Sequence, residues 1–571
     1  MCGAALAVAG CAPSPRAPNL TEIYRTVAAA GVAEGRAPLI TVPGTRGSRL
    51  VDAETCTVLW GGGSAGLSAD PTDPEEARLI ALPIPADDTP VVALNDTVRS
   101  AGVLDIATAE VLGLPIELEV YGGVLRTLTA GGFRTARRGQ PKTVFARAGP
   151  EGAQDLDADA VLRPAVLRRE APAEAVRERA ARGARDCTAQ GLMPEGAPPA
   201  GDTDEINSFR FDYDWRRDIV SLARDFDRFV TERKEWLAAR RSALAGRTVA
   251  AEELRFDLLA HSMGGLVTRY YLMYGTADLP EDGSLPPLTW AGARHFNRVV
   301  FVATPNAGSI LALDNIVNGK VFGPFQPYYP GALLATHPSL WQLMPRARHA
   351  PVRLGSDDGA PAMDLYDPAL WERHGWGFAA PEAAPVLEVL MPEETEPATR
   401  RARALRHQAR LLRRAEAFHR AMDRWHEPPT HLRSFLVVGG GFETPARATL
   451  DPDSGALAIS GVGEGDGVVL RSSVLLDERL GRIVPPPSAT GLSTPLRFDT
   501  VLFLPDEHVE LTKNPVFGDN LLFWLLEQPR ETRELRRPSR DQGLVAGFPL
   551  PEPRAAPAEA GVLAANAGAE R

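Results

Sequence analysis

The sequence predicts an α/β fold, a mostly parallel sheet flanked by helices and carrying large insertions. Three observations predict it. An apolar run, Leu254–Ala260, enters Ala260-His261-Ser262-Met263-Gly264-Gly265 and gives way to a helix-like segment with Leu266, Tyr270 and Met273 on one face. Other short apolar runs also end in turns, at Pro38–Leu50 and Phe296–Ser309. With 571 residues, 44% hydrophobic and 24% charged, the chain can bury a large core and is globular.

The Ser262 stretch has what a nucleophile elbow needs. A serine on a sharp strand-to-helix turn exposes its hydroxyl at the top of a sheet, and small neighbours let the turn close. Ala260 stands where this pattern usually has its first glycine. His261 is expected to be a packing residue that points away from Ser262.

In chain order, residues 1–37 are expected to be a signal or lipobox-like segment and a tether. Val8-Ala9-Gly10-Cys11 looks like a lipobox, so Cys11 is the expected lipidation site, although a positively charged leader is missing. The expectation is an exported, membrane-anchored bacterial lipoprotein, with a cytoplasmic protein as the alternative. Residues 38–63 form the first core segment, where a strand runs into Pro43-Gly44-Thr45. Residues 64–202 are an insertion with one helix near Ala171–Arg185.

Residues 203–310 resume the core. Tyr213-Asp214-Trp215-Arg216 ends a strand, and a helix spans about Asp218–Leu244. Ligands of open α/β sheets bind at the carboxyl ends of strands, so Tyr213, Trp215 and Arg216 are candidate substrate-binding residues. Residues 311–430 are a second insertion, a lid or cap with Phe322, Phe325, Tyr328 and Tyr329. Its long helix, Thr399–His426, sets many arginines against Leu412, Ala415, Phe418, Met422 and Trp425, a pattern that suits packing on the sheet or contact with an anionic membrane surface. Residues 431–527 return to the core, and residues 528–571 are expected to be a disordered tail.

A net charge of −11 and a pI near 5.6 argue against nucleic acid as a partner. No apolar run is long enough for a membrane-spanning helix. If Cys2 is removed and Cys11 lipidated, Cys56 and Cys187 remain as a candidate disulfide. There is no C-x-x-C, and neither a metal nor a cofactor is expected. Asp451-Pro452-Asp453-Ser454-Gly455 suits a hairpin turn better than a calcium loop, because the distal glutamate is lacking. The oligomeric state is not legible.

Two further residues complete a chemical pattern. Gly465-Asp466-Gly467 puts an acid in a glycine-rich loop, and His508 follows the apolar run Val501–Leu504. Asp477 and Asp506 are weaker alternatives to Asp466. The order Ser262, Asp466, His508 is that of α/β-hydrolases. In that chemistry Ser262 attacks an ester carbonyl, His508 moves the proton, Asp466 orients the imidazole, and the Thr45 and Met263 backbone amides hold the oxyanion.

Val42-Pro43-Gly44 to Leu50, Trp60-Gly61, Tyr213–Arg216, Ala260–Gly265, Ala307-Gly308-Ser309, Leu343-Met344-Pro345, Gly465–Val469 and His508 follow one another as in the lecithin:cholesterol acyltransferase-like family, which this sequence resembles over about half its length. The resemblance implies an α/β-hydrolase core with a cap and lid, an acyl-enzyme on Ser262 and a lipid ester as acyl donor. Leu470 departs from the proline that the family tends to have there. The expected activity is that of a lipase, phospholipase or O-acyltransferase. A soluble carboxylesterase for small esters and a non-catalytic binding protein on the same fold are the alternatives.

Overall fold

The central sheet of the computed structural model contains β1 (Leu39–Val42), β2 (Ser208–Arg210), β3 (Phe256–His261), β4 (Phe296–Val302), β5 (Arg433–Gly439) and β6 (Thr500–Leu504). Their spatial order is β6-β5-β4-β3-β1-β2, and every neighbouring pair is parallel. The structure describes residues 36–61, 69–111, 114–135, 173–189, 206–322, 327–355, 362–425, 427–480 and 491–527. Both β1 and β3 are buried at every position. This is why they read as continuous apolar runs rather than as alternating ones: helices cover both faces of the sheet.

One face packs on α2 (Ile219–Ala245) and α3 (Met263–Tyr274), with Phe226, Val230, Tyr270 and Tyr271 against Leu258, Phe296 and Val299. Asp218 caps α2 by accepting from the Ser221 amide at 3.0 Å. The other face packs on α1 (Gly122–Ala130) and α5 (Pro515–Leu522), whose Val124, Leu128, Phe517 and Leu521 meet Leu39, Leu259, Val300 and Phe435.

This corrects the expected boundaries. Residues 64–202 do not lie wholly outside the core, because α1 covers one face of the sheet. Its apolar positions answer an apolar strand face that would otherwise meet water. A helix spans Ala173–Ala189, close to the expected one.

A second apolar cluster lies in the 311–430 region. Trp341, Trp371, Trp376 and Met344 pack there with Leu411 and Leu412 of α4 (Pro397–Met422). Within α4, Leu412, Ala415, Phe418 and Met422 are buried as expected, whereas Trp425 lies past the helix end and is 61% exposed. Some of the α4 arginines turn inward to protein partners. Arg414 reaches Asp218 at 3.0 Å and Asp278 at 2.7 Å, and Arg403 reaches Glu393 at 2.8 Å. Strands Phe442–Leu450 and Leu457–Gly465 form the expected hairpin, whose turn is held by the Asp451 carboxylate accepting from the Asp453 and Ser454 amides. Among the described residues, no helix is long and apolar enough to cross a membrane.

Candidate active site

At the end of β3 the chain turns through Ser262, which has φ 52° and ψ −127° and sits directly before α3. A side chain in this region costs about 1–3 kcal/mol and persists only where its surroundings hold it. They do so here. The Ser262 amide donates to the Val302 carbonyl at 2.8 Å. A Cβ on Gly265 would lie 1.9 Å from Thr304 Oγ1, and one on Gly44 would lie 2.7 Å from Ser262 Cβ. Gly44 therefore lets its loop close in on the serine, and Gly265 lets α3 pack against Thr304 at the turn after β4.

His508 Nε2 lies 2.9 Å from Ser262 Oγ, and His508 Nδ1 lies 2.7 Å from Asp466 Oδ2. The three residues that the sequence sets 246 and 42 positions apart thus form one hydrogen-bonded series. Asp466 leaves the hairpin strand at Gly465 and abuts Gly439, the end of β5. Its Oδ1 accepts from the Val468 and Val469 amides at 3.0 and 2.7 Å. Burial works to raise the Asp466 carboxyl. The His508 charge, the His508 hydrogen bond and these two amides outweigh it, so the carboxyl stays below its ordinary range. Asp466 also fixes the histidine backbone, because the His508 amide donates to its carbonyl at 3.0 Å. The alternative acids are engaged elsewhere, Asp477 with Arg479 and Asp506 with Asn514.

The loop facing Ser262 is a turn in which the Gly47 amide donates to the Gly44 carbonyl at 3.0 Å. The Gly44 amide goes to the Tyr121 hydroxyl at 2.8 Å. Thr45 lies between these two committed amides, and its Oγ1 reaches Met263 Sδ at 3.2 Å. The two residues expected to supply oxyanion donors are therefore in side-chain contact.

His261 corrects the sequence reading. Its Nδ1 is 2.8 Å from the Tyr121 hydroxyl, and its Nε2 is 3.0 Å from the His508 carbonyl. Burial, followed by the charge of His508, pulls His261 down to about 3, so the ring is neutral. The hydroxyl accepts from Gly44 and donates to Nδ1, which leaves the Nε2 proton to donate to the His508 carbonyl. One neutral imidazole thus ties the Gly44 loop to the backbone of His508. The signal for this was its position beside Ser262. Tyr121, 140 residues away, offered none.

The expected substrate-binding trio is placed differently. The Tyr213 hydroxyl donates to the Pro43 carbonyl at 2.6 Å, and Trp215 Nε1 donates to the Ser48 carbonyl at 3.3 Å, so both brace the 43–48 loop. The Trp215 ring meets Trp60 edge-on at 5.8 Å. Arg216 is fully buried, and its guanidinium bonds Asp214, Asp96 and the carbonyls of Leu79, Ile80 and Ala81. All five of its N–H groups are committed, so Arg216 is a clamp on residues 79–96 rather than a substrate ligand.

Cys56 and Cys187 are joined as a disulfide. Cys11, the lipobox-like segment, Phe325 and the 528–571 tail lie outside the described residues. Among the described residues, no group of three or more His, Cys, Asp or Glu side chains is arranged to hold a metal ion.

Residues 204–350 match the lecithin:cholesterol acyltransferase family model. The match covers about a quarter of the chain. It spans β2, the Ser262 turn, β4 and the Leu343-Met344-Pro345 stretch, and the resemblance read from the sequence holds across it. In solved structures the chain is similar to the Tle4–Tli4 complex, with 13% identity over 87% of this chain and 100% of that one, at a TM-score of 0.45. It is also similar to lipase 1 from Pelosinus fermentans, with 13% identity over 48% of this chain and 72% of that one, at a TM-score of 0.22. No curated protein matches. The match supports lipid-ester hydrolysis or acyl transfer in general terms.

Proposed function

We propose that the chain hydrolyses or transfers the acyl group of a lipid ester through an acyl-enzyme on Ser262. The observation that carries this reading is the continuous series from Asp466 Oδ2 through the His508 imidazole to Ser262 Oγ, with steps of 2.7 and 2.9 Å. Ser262 Oγ attacks the ester carbonyl and passes its proton to His508 Nε2. The Thr45 and Met263 amides hold the oxyanion, and removing one such donor typically costs about 3–4 kcal/mol. The tetrahedral intermediate collapses, the ester C–O bond breaks, and His508 protonates the departing alcohol. Water or a second alcohol then attacks the acyl-enzyme, with His508 taking its proton and returning it to Ser262.

A lipid substrate is supported by the family segment and by an apolar rim. Val468 and Val509, each within two residues of Asp466 or His508, are 40% and 39% exposed. The test is a fluorophosphonate probe together with a phospholipid carrying a labelled acyl chain, with and without added alcohol. Wild type is expected to label and release labelled fatty acid, and Ser262→Ala to do neither. A labelled ester formed with alcohol assigns transfer. A wild-type protein that neither labels nor turns over this lipid or a short-chain ester ends the reading.

A further inference from the structure

Arg46 stands out among the arginines. Arg216, Arg217, Arg346, Arg348 and Arg414 each pair with a carboxylate. The Arg46 guanidinium makes no hydrogen bond or ion pair with any described residue. Aromatic rings hold it instead, with its central carbon 4.4 Å from the Phe322 centroid and 5.7 Å from that of Trp60. Trp60 also fixes the backbone, because its Nε1 donates to the Arg46 carbonyl at 2.8 Å. Contact with ring faces uses up no N–H donor on an oxygen acceptor, so the guanidinium's donors stay without an acceptor among the described residues.

The backbone adds a second observation. Arg46 has φ 61°, in the left-handed region that favours glycine. A long cationic side chain is thus kept at a strained position, one residue past Thr45 in the turn that faces Ser262. Three residues on, Arg49 spends its Nε on the Gly61 carbonyl at 3.1 Å and likewise pairs with no carboxylate among the described residues.

We propose that Arg46 is a specificity residue that binds the phosphate of the acyl donor's headgroup, so that the preferred donor is a phospholipid of net negative charge. This rests on the Ser262 reading for the position of the scissile ester. Arg46 directly follows Thr45, whose amide is the expected oxyanion donor, so its backbone adjoins the place where the scissile ester is expected. A fork facing an unshared phosphate makes charge-assisted, bidentate hydrogen bonds. Among the described residues no carboxylate pairs with the guanidinium, so none there attracts the ammonium of a zwitterionic headgroup.

The test uses the full chain and soluble dihexanoyl lipids below their micelle concentrations: phosphatidylglycerol, phosphatidylcholine and diacylglycerol. For Arg46→Gln, the ratio of kcat/KM on phosphatidylglycerol to that on diacylglycerol is expected to fall at least about tenfold, and the preference over phosphatidylcholine to shrink. Arg46→Lys should keep an intermediate ratio. Arg46→Gly, which suits the backbone, should fold at least as well as wild type and still lose the ratio. If all three substrates fall together in the Gln and Gly variants, Arg46 only shapes the loop and the proposal is overturned. A second readout does not depend on turnover. In Ser262→Ala, the Kd for phosphatidylglycerol should weaken at least about tenfold when Arg46→Gln is added. An unchanged Kd overturns the headgroup site even where the Ser262 reading stands, and a weakened one upholds it even where that reading fails. Inorganic phosphate is titrated alongside. If it binds as tightly as the lipid and is lost equally in Arg46→Gln, the site is one for free anions and the headgroup assignment falls.

Discussion

His261 Nε2 lies 3.0 Å from the backbone carbonyl oxygen of His508, so the residue before Ser262 holds the segment that carries the proposed base. Replacing it by leucine leaves that carbonyl and the Tyr121 hydroxyl without their buried partner, at about 1–3 kcal/mol for each such group. His261→Leu is therefore expected to lower the unfolding midpoint and to reduce kcat by roughly ten- to a hundredfold, with KM changing much less. Tyr121→Phe should act in the same direction more weakly. Steady-state kinetics beside thermal unfolding check this, and a wild-type kcat in His261→Leu would contradict the positioning role.

Asp466→Asn keeps the shape of the acid and removes its charge. The buried imidazole then loses the group that fixes its tautomer and stabilises its protonated form, and kcat is expected to drop by about 10⁴. Because Oδ1 of Asp466 is held by two amides, the fold should survive, and circular dichroism beside the activity assay separates the two effects. A loss below about tenfold would move the acid's role to another residue.

Arg216→Met tests the clamp. Deleting one partner of a buried ion pair strands the other, at about 3–5 kcal/mol. Here Asp214 keeps Arg217 at 2.9 Å but loses the buried guanidinium that holds it well below the ordinary carboxylate range against the cost of burial. The expected phenotype is a large loss of stability, with KM unchanged in the fraction that stays folded. A raised KM at wild-type stability would restore the substrate-binding role.

The sequence made the core and the three residues of the hydrogen-bonded series legible for a physical reason. Ser262 and His508 each follow an apolar strand-like run, and strand ends in a parallel sheet converge on one edge. Asp466 was legible instead as an acid in a glycine-rich loop, and it follows the antiparallel hairpin and meets that edge at Gly439. What it hid was long-range. Nothing local marks Tyr121 as the partner of His261, and α1 looked like part of an insertion because its short apolar face sits among Ala- and Pro-rich residues. Arg216 looked available to substrate because the carbonyls that absorb it, Leu79 to Ala81, lie about 135 residues away. Trp425 extended the helical period of α4 on paper, but the helix ends at Met422.

The Cys56–Cys187 bridge closes a separation of 131 residues and ties the Ala173–Ala189 helix to the segment after Ser48–Asp52. By the chain-entropy argument such a loop is worth on the order of 4–5 kcal/mol, an upper value if the unfolded chain keeps structure. The double variant Cys56→Ser/Cys187→Ser is expected to unfold at a lower denaturant concentration, and reductant should lower the wild-type midpoint toward it. Midpoints that coincide with and without reductant would show that the bridge adds nothing.

Acid stability follows from buried neutral histidines. Burial is the leading cause in each case, taking His261 and His407 down to about 3 and His295 and His337 down to about 4 from an ordinary 6.5. Between these values and 6.5 the unfolded chain takes up protons that the folded chain refuses. Stability is therefore highest above about pH 6.5 and is lost as the pH falls through the window, by at most about 1.4 kcal/mol per pH unit for each group. His407 gives the sharpest test, because it is 1% exposed and neither ring nitrogen has a hydrogen-bond partner among the described residues. His407→Leu removes both the proton-binding difference and two unpartnered polar atoms. It is expected to be more stable than wild type at pH 7, with a further gain at pH 5. Urea midpoints at the two pH values measure this, and a variant whose midpoint falls with acid as steeply as the wild type's would show that His407 is already charged or hydrated in the folded state.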